Sequence, residues 1–113
     1  MTISTRQDLK ARFTQFAKQW KSESRHIANA DQMAMFRSYK NIISMGDPAI
    51  PLILEELRRE PDHWFWALEA ITLENPVPEE AMGNIEAMAR AWIQWGIKMG
   101  YISSRVQVQK SRD

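Results

Sequence analysis

Two stretches decide the fold: Met45-Gly-Asp-Pro-Ala-Ile-Pro-Leu-Ile-Leu-Glu-Glu-Leu57 and, after Pro61-Asp62, Trp64-Phe-Trp-Ala-Leu-Glu-Ala-Ile71. Gly46 stops whatever precedes it, because glycine enters a left-handed turn without steric cost. Asp47 is a good N-cap, Pro48 fits the first helical position where a missing N–H costs nothing, and Pro51 still falls in the first turn. Ile50, Ile53, Leu54 and Leu57 then recur at spacings of three and four. They form one buried stripe, with Glu55, Glu56, Arg58, Arg59 and Glu60 left to water. Asp62 caps a second helix over His63 to about Leu73, with Trp64, Phe65, Leu68 and Ile71 inward. Two positions advance a helix by about 200°. Trp64 and Trp66 therefore cannot both face one core, and Trp66 is expected on a groove wall or the surface.

Outward from this pair the chain reads as helix in both directions. Leu9, Phe13, Phe16, Ala17 and Trp20 stripe a helix from about Thr5 to Ser22, capped by Ser4 or Thr5 and with Asp8 where the helix dipole favours an anion. A polar stretch, Glu23 to Asp31, follows. Phe36, Tyr39, Ile42 and Ile43 stripe a continuous helix from about Gln32 to Met45. Pro76 and Pro78 stiffen a loop over Glu74 to Glu80. Asn84 caps a last helix carrying Ile85, Met88, Ala89, Trp92 and Trp95, which stops near Gly100. Period-two alternation is confined to Val106-Gln-Val108-Gln. The expected fold is all-α: a compact bundle of about five helices over residues 1–102, with a polar tail over 103–113. From Tyr101 onward the chain reads as mobile or partner-binding.

The stretch from Met45 to Leu57 followed by Trp64 to Ile71 resembles one HEAT-type repeat, with its glycine-then-proline entry and its second helix packing back on the first. The resemblance covers about residues 45–73 and implies a compact HEAT-like bundle, since a solenoid needs about three repeats. A longer pattern adds Trp20-Lys-Ser-Glu, His63-Trp-Phe-Trp-Ala-Leu-Glu-Ala-Ile-Thr and Trp92-Ile-Gln-Trp-Gly. It is similar to a set of small bacterial proteins whose genes accompany toxin–antitoxin or mobile-element genes. That similarity implies a small partner protein, such as an antitoxin, rather than an enzyme.

Composition narrows the function classes. The 113 residues are 44% apolar and contain no cysteine, which suits one globular domain and excludes disulfides, thiolate metal sites and cysteine nucleophiles. No apolar run approaches the roughly 18–20 residues of a membrane span, and Met1-Thr-Ile-Ser-Thr-Arg6 lacks the apolar run of a secretory signal. These features predict a cytoplasmic protein with no membrane partner. Net charge is +1, yet residues 1–40 carry eight Lys and Arg against three acids, while residues 41–100 carry four against ten. Either the basic first helix packs near the acidic middle, or it forms a patch for nucleic acid or an acidic partner.

Motifs for chemistry are few. His63 beside Asp62 is the one close pair of metal-ligating types, and it reads as a cap and its neighbour, so no metal and no cofactor is expected. Glu55/Glu56 and Glu79/Glu80 are adjacent acids that point apart on a helix and read as solvated faces. No glycine-flanked serine and no glycine-rich phosphate loop occurs. Five tryptophans in so short a chain say more, because tryptophan is enriched at binding hot spots. The resulting expectation is a non-catalytic interaction module. Its contact residues would be Trp66 and Trp95, with Lys18, Lys21, Arg25 and Arg105 as cationic contacts, and Met82, Met88 and Met99 extending the apolar patch. The alternative is a nucleic-acid-binding domain that uses the basic first helix and the tail. A homodimer is left open.

Overall fold

A computed structural model describes residues 5–104, with the side chains there except those of residues 5–7, 30 and 31. These residues form α1 (Thr5–Ser24), α2 (Ala30–Met33), α3 (Arg37–Ser44), α4 (Ala49–Arg59), α5 (Phe65–Thr72), a 3₁₀ turn (Glu79–Ala81) and α6 (Ile85–Met99), with no strand among them. The protein is all-α, as its periodicities predict.

Two packing units share one core. In the first, α1 lies across α3 and α4, and α3 packs on α5. Its centre is aromatic, because α1 contributes two rings, α3 one and the entry to α5 one to the same point. Trp20 and Trp64 lie 4.5 Å apart between ring centres, Tyr39 stacks on Trp64 at 5.7 Å, and Phe13 closes the group at 5.9 Å. Trp20, Tyr39 and Trp64 are fully buried. In the second unit α4 packs chiefly against α6. The two helices meet at Gly96, where an added Cβ would stand 2.5 Å from Leu54 Cδ1 and 3.4 Å from Ile102 Cγ1. The close approach therefore needs a residue without a side chain.

Several local expectations are corrected. The helix expected over residues 32–45 is broken into α2 and α3, with Phe36 extended (φ −67, ψ 144). In an unbroken helix the Met33 carbonyl would accept the Arg37 N–H. Here the Trp20 indole N–H donates to it instead, at 2.7 Å. Asp47 makes no side-chain cap at α4; Pro48 is itself helical (φ −58, ψ −21), and the Gly46 and Asp47 carbonyls accept from the Ala49 and Ile50 amides, each at 2.9 Å. Asp62 accepts from the His63 N–H at 2.7 Å, ahead of α5 rather than within its first turn. In α5 it is Ala67 that is fully buried, whereas Ile71 is half-buried. Glu56 and Arg58, expected in water, are turned inward, with side chains 12% and 18% exposed. The reason is α1, which overlies α4 and lowers Lys21 onto Glu56.

The C-terminal stop is as expected, but the chain beyond it does not leave the domain at once. Gly100 adopts φ 86, and the Tyr101 and Gly100 amides donate to the Gly96 and Ile97 carbonyls at 2.8 and 3.1 Å. This six-to-one and five-to-two pairing is the Schellman ending. It folds Ile102 back into the core, 8% exposed, and Arg58 Nη2 donates to the Ser103 carbonyl at 2.7 Å.

Candidate functional site

Helix α5 is apolar at six of its eight positions, Glu69 and Thr72 being the exceptions. Phe65, Ala67 and Leu68 face the core, while Trp66 and Ala70 face outward. So apolar a helix is ordinarily buried on most sides. This one is not: Trp66 is 49% exposed, and Leu73, the residue that ends the helix, is 86% exposed. Leu73 also holds the left-handed conformation (φ 60) that caps the helix, where glycine would be unstrained.

Trp66 forms one wall of a groove of about 460 Å³, together with Phe65 and Glu69 of α5 and with Met82, Ile85 and Met88 opposite. Hydrogen bonds hold both walls in place. The Tyr39 hydroxyl accepts from the Ala67 N–H and donates to the His63 carbonyl, both at 3.0 Å, and so fixes the N-terminus of α5 from another helix. Thr72 Oγ1 accepts from the Glu74 N–H at 3.1 Å, and Asn75 Oδ1 accepts from the Val77 N–H at 3.2 Å, shaping the loop. Asn84 caps α6 through the Ala87 N–H at 3.0 Å, as expected, which sets Ile85 and Met88 toward the groove.

Charge separates this face from the rest of the molecule. Residues 60–89 hold seven acids and no lysine or arginine. Of these, Glu60 pairs with Lys21 at 2.8 Å. The other six (Asp62, Glu69, Glu74, Glu79, Glu80, Glu86) form no ion pair among the described residues. The acids of α4 behave differently. Glu56 is held by Lys21 at 2.7 Å and by Arg59, and Glu55 faces Arg58 at 3.6 Å. Burial pulls the Lys21 ammonium down, but its bonds to Glu56 and Glu60 outweigh this and raise it. The same contact holds the Glu60 carboxyl below its ordinary value. A second recess, of about 470 Å³ between α1 and α4, mixes the cations Lys10, Arg58 and Arg59 with the acids Glu55 and Glu56 and so is nearly balanced in charge.

The expected contact residues scatter. Trp66 lies on the groove, and Met82 (53% exposed) and Met88 join it there. Trp95 is elsewhere: it meets Trp92 edge-on at 5.3 Å, and Tyr101 stacks on it at 5.4 Å, so its surface is partly covered from within the chain. Lys21 is committed to Glu56 and Glu60. Lys18 and Arg25 are exposed on or just after α1, away from the groove lining. Met99 is 55% exposed at the end of α6. Arg105 lies outside the described residues. Leu73 and Glu69 were not foreseen as surface residues; Glu69 follows Trp66 by three positions and so neighbours it on the helix surface, whereas Leu73 lies just past the helix end.

Among the described residues no group of three His, Asp or Glu side chains could hold a metal ion, and no helix is long and apolar enough to cross a membrane. What the groove offers chemically is apolar area with an acidic rim. Compared with protein-family models, with curated proteins and with solved structures, the chain matches none of them.

Proposed function

We propose that the protein is a non-catalytic docking module that binds a partner protein through the Trp66 face, with antitoxin-like neutralisation by steric occlusion as the specific form. The observation that carries this reading is the half-exposed Trp66 on a mostly apolar helix beside a preformed groove. Tryptophan is enriched at binding hot spots, and here it walls an otherwise largely apolar groove. The resemblance of residues 45–73 to a HEAT-type repeat, and of the longer pattern to small proteins encoded near toxin–antitoxin genes, points the same way.

The nucleic-acid alternative requires bases and aromatics on one surface, so that phosphates and unstacked bases are held together. Here the cations of the basic first helix, Lys10, Arg12, Lys18 and Arg25, are exposed on α1 and its end, whereas no lysine or arginine among the described residues lines the groove beside Trp66, the exposed Arg90 of α6 included. This separation favours the protein partner.

The test compares the full chain with Trp66→Ser as baits in extract of the native host, identifies what the first retains and the second loses, and reconstitutes that pair from purified components. A complex that forms with the wild-type chain and is weakened at least tenfold by the substitution supports the reading. Identical retention by both baits, or retention of oligonucleotide alone, refutes it.

A further inference from the structure

The geometry points to a cationic amphipathic helix as the occupant of the Trp66 groove: an apolar stripe seated against Trp66, Met82 and Met88, with lysines or arginines along both edges. This rests on the docking reading and goes further, because it commits to the partner's chemistry.

Three observations on the molecule lead to it. The first is charge. Glu69 stands in the groove itself, Asp62 and Glu74 adjoin the lining residues His63 and Asn75, and Glu79, Glu80 and Glu86 lie along the opposite wall's segment. None of the six has an ion-pair partner among the described residues, whereas α4's acids do. A carboxylate at the apolar floor, within a segment that has no lysine or arginine from residue 60 to residue 89, repels an acidic partner and draws in a basic one, since like-charge juxtaposition is penalised and opposite charge speeds encounter. The second is length. Trp66 and Leu73 lie seven positions apart, roughly 10 Å along the helix axis, which is the reach of an i, i+3/i+4, i+7 stripe on an opposing helix. The third is Leu73 itself: a leucine 86% exposed in a left-handed conformation ends the helix that carries Trp66 and, outside the groove lining, extends the exposed apolar surface of that segment.

The experiment uses two labelled 18-residue helical peptides with the same leucine stripe, one with lysine and the other with glutamate at the remaining positions. Each is titrated with the full chain, with Trp66→Ser and with Glu69→Lys, and peptide anisotropy is read at low and at high salt. Circular dichroism shows that each variant folds. The expected result is that the lysine peptide binds at least tenfold more tightly than the glutamate peptide. Trp66→Ser and Glu69→Lys should each weaken it severalfold or more, and so should added salt. Equal or tighter binding of the glutamate peptide, still lost in Trp66→Ser, would overturn the cationic partner and leave the docking face standing. Binding of neither peptide, or lysine-peptide binding indifferent to Trp66, would overturn both. Sedimentation of the chain alone decides the remaining occupant: self-association abolished by Trp66→Ser makes a second copy the ligand and overturns this inference.

Discussion

The Tyr39 hydroxyl is the bond on which the position of α5, and so of Trp66, depends. Tyr39→Phe removes that oxygen and nothing else. The ring stays fully buried, stacked on Trp64 at 5.7 Å and tilted on Trp20 at 5.3 Å, so packing is retained. Two backbone groups lose their partner. The Ala67 N–H lies in the first turn of α5 within a fully buried residue, where water cannot replace the hydroxyl. An unmet buried donor costs about 1–3 kcal/mol. The His63 carbonyl belongs to a half-exposed residue and can rehydrate, so its loss is nearer the net value of an ordinary hydrogen bond, about 1 kcal/mol. The sum is about 2–4 kcal/mol, which for a domain of this size lowers Tm by roughly 10–20 °C. Asp62→Ala removes only the bond to the His63 N–H and should cost less than about 1 kcal/mol. Urea unfolding followed by circular dichroism measures both, and hydrogen exchange at the Ala67 amide localises the loss. A Tyr39→Phe protein within about 0.5 kcal/mol of wild type, or one whose Ala67 amide stays as protected as before, would refute the assignment of Tyr39 as the cap of α5.

The remaining predictions are simpler. Burial raises the Tyr39 phenol above its ordinary value. Its contribution to stability is thus complete below about pH 10, where the unfolded phenol titrates, and is lost at up to about 1.4 kcal/mol per pH unit as pH rises further; Tyr39→Phe should flatten that alkaline limb in urea titrations. Gly96→Ala should destabilise by about 1–2 kcal/mol, the overpacking cost against Leu54 less the gain in helix propensity, and a thermal melt equal to or above wild type would show that Leu54 yields freely. Lys21→Ala should cost about 1 kcal/mol. It should also flatten the acid limb: Glu60, held low by Lys21, adds stability above about pH 4.3 that is lost on acidification. Leu73→Gly should raise Tm, because relief of the left-handed conformation is worth about 1 kcal/mol and an exposed side chain loses little burial; a lower Tm contradicts the strain. Trp20→Phe should cost about 1–2 kcal/mol more than Trp64→Phe, since the Trp20 N–H is bonded to Met33 and the Trp64 N–H has no partner.

Much of the architecture is legible in one dimension, because it depends on periods of three and four and on local stops. The stripe of Ile50, Ile53, Leu54 and Leu57, the Asn84 cap, the left-handed turns at Gly46 and Gly100, and the opposition of Trp64 and Trp66 all follow from neighbours a few positions apart in the sequence. The exposed position of Trp66 follows from helix geometry, whereas composition offers Met82 and Met88 only as extending an apolar patch, and their place opposite Trp66 is a product of the tertiary fold. What the sequence could not show are bonds between groups far apart in the chain. The Trp20 indole breaks a helix 13 positions away, the Tyr39 hydroxyl caps one 28 positions away, and Lys21 draws Glu56 inward from 35 positions away. Nor could it show that Tyr101 covers Trp95 while nothing among the described residues covers Trp66 to the same degree, or that among those residues the acids of α4 find cations and those of the groove segment do not. Local propensity sets which face of each helix is apolar; only the packing of all six helices determines which of those faces is left without a neighbour.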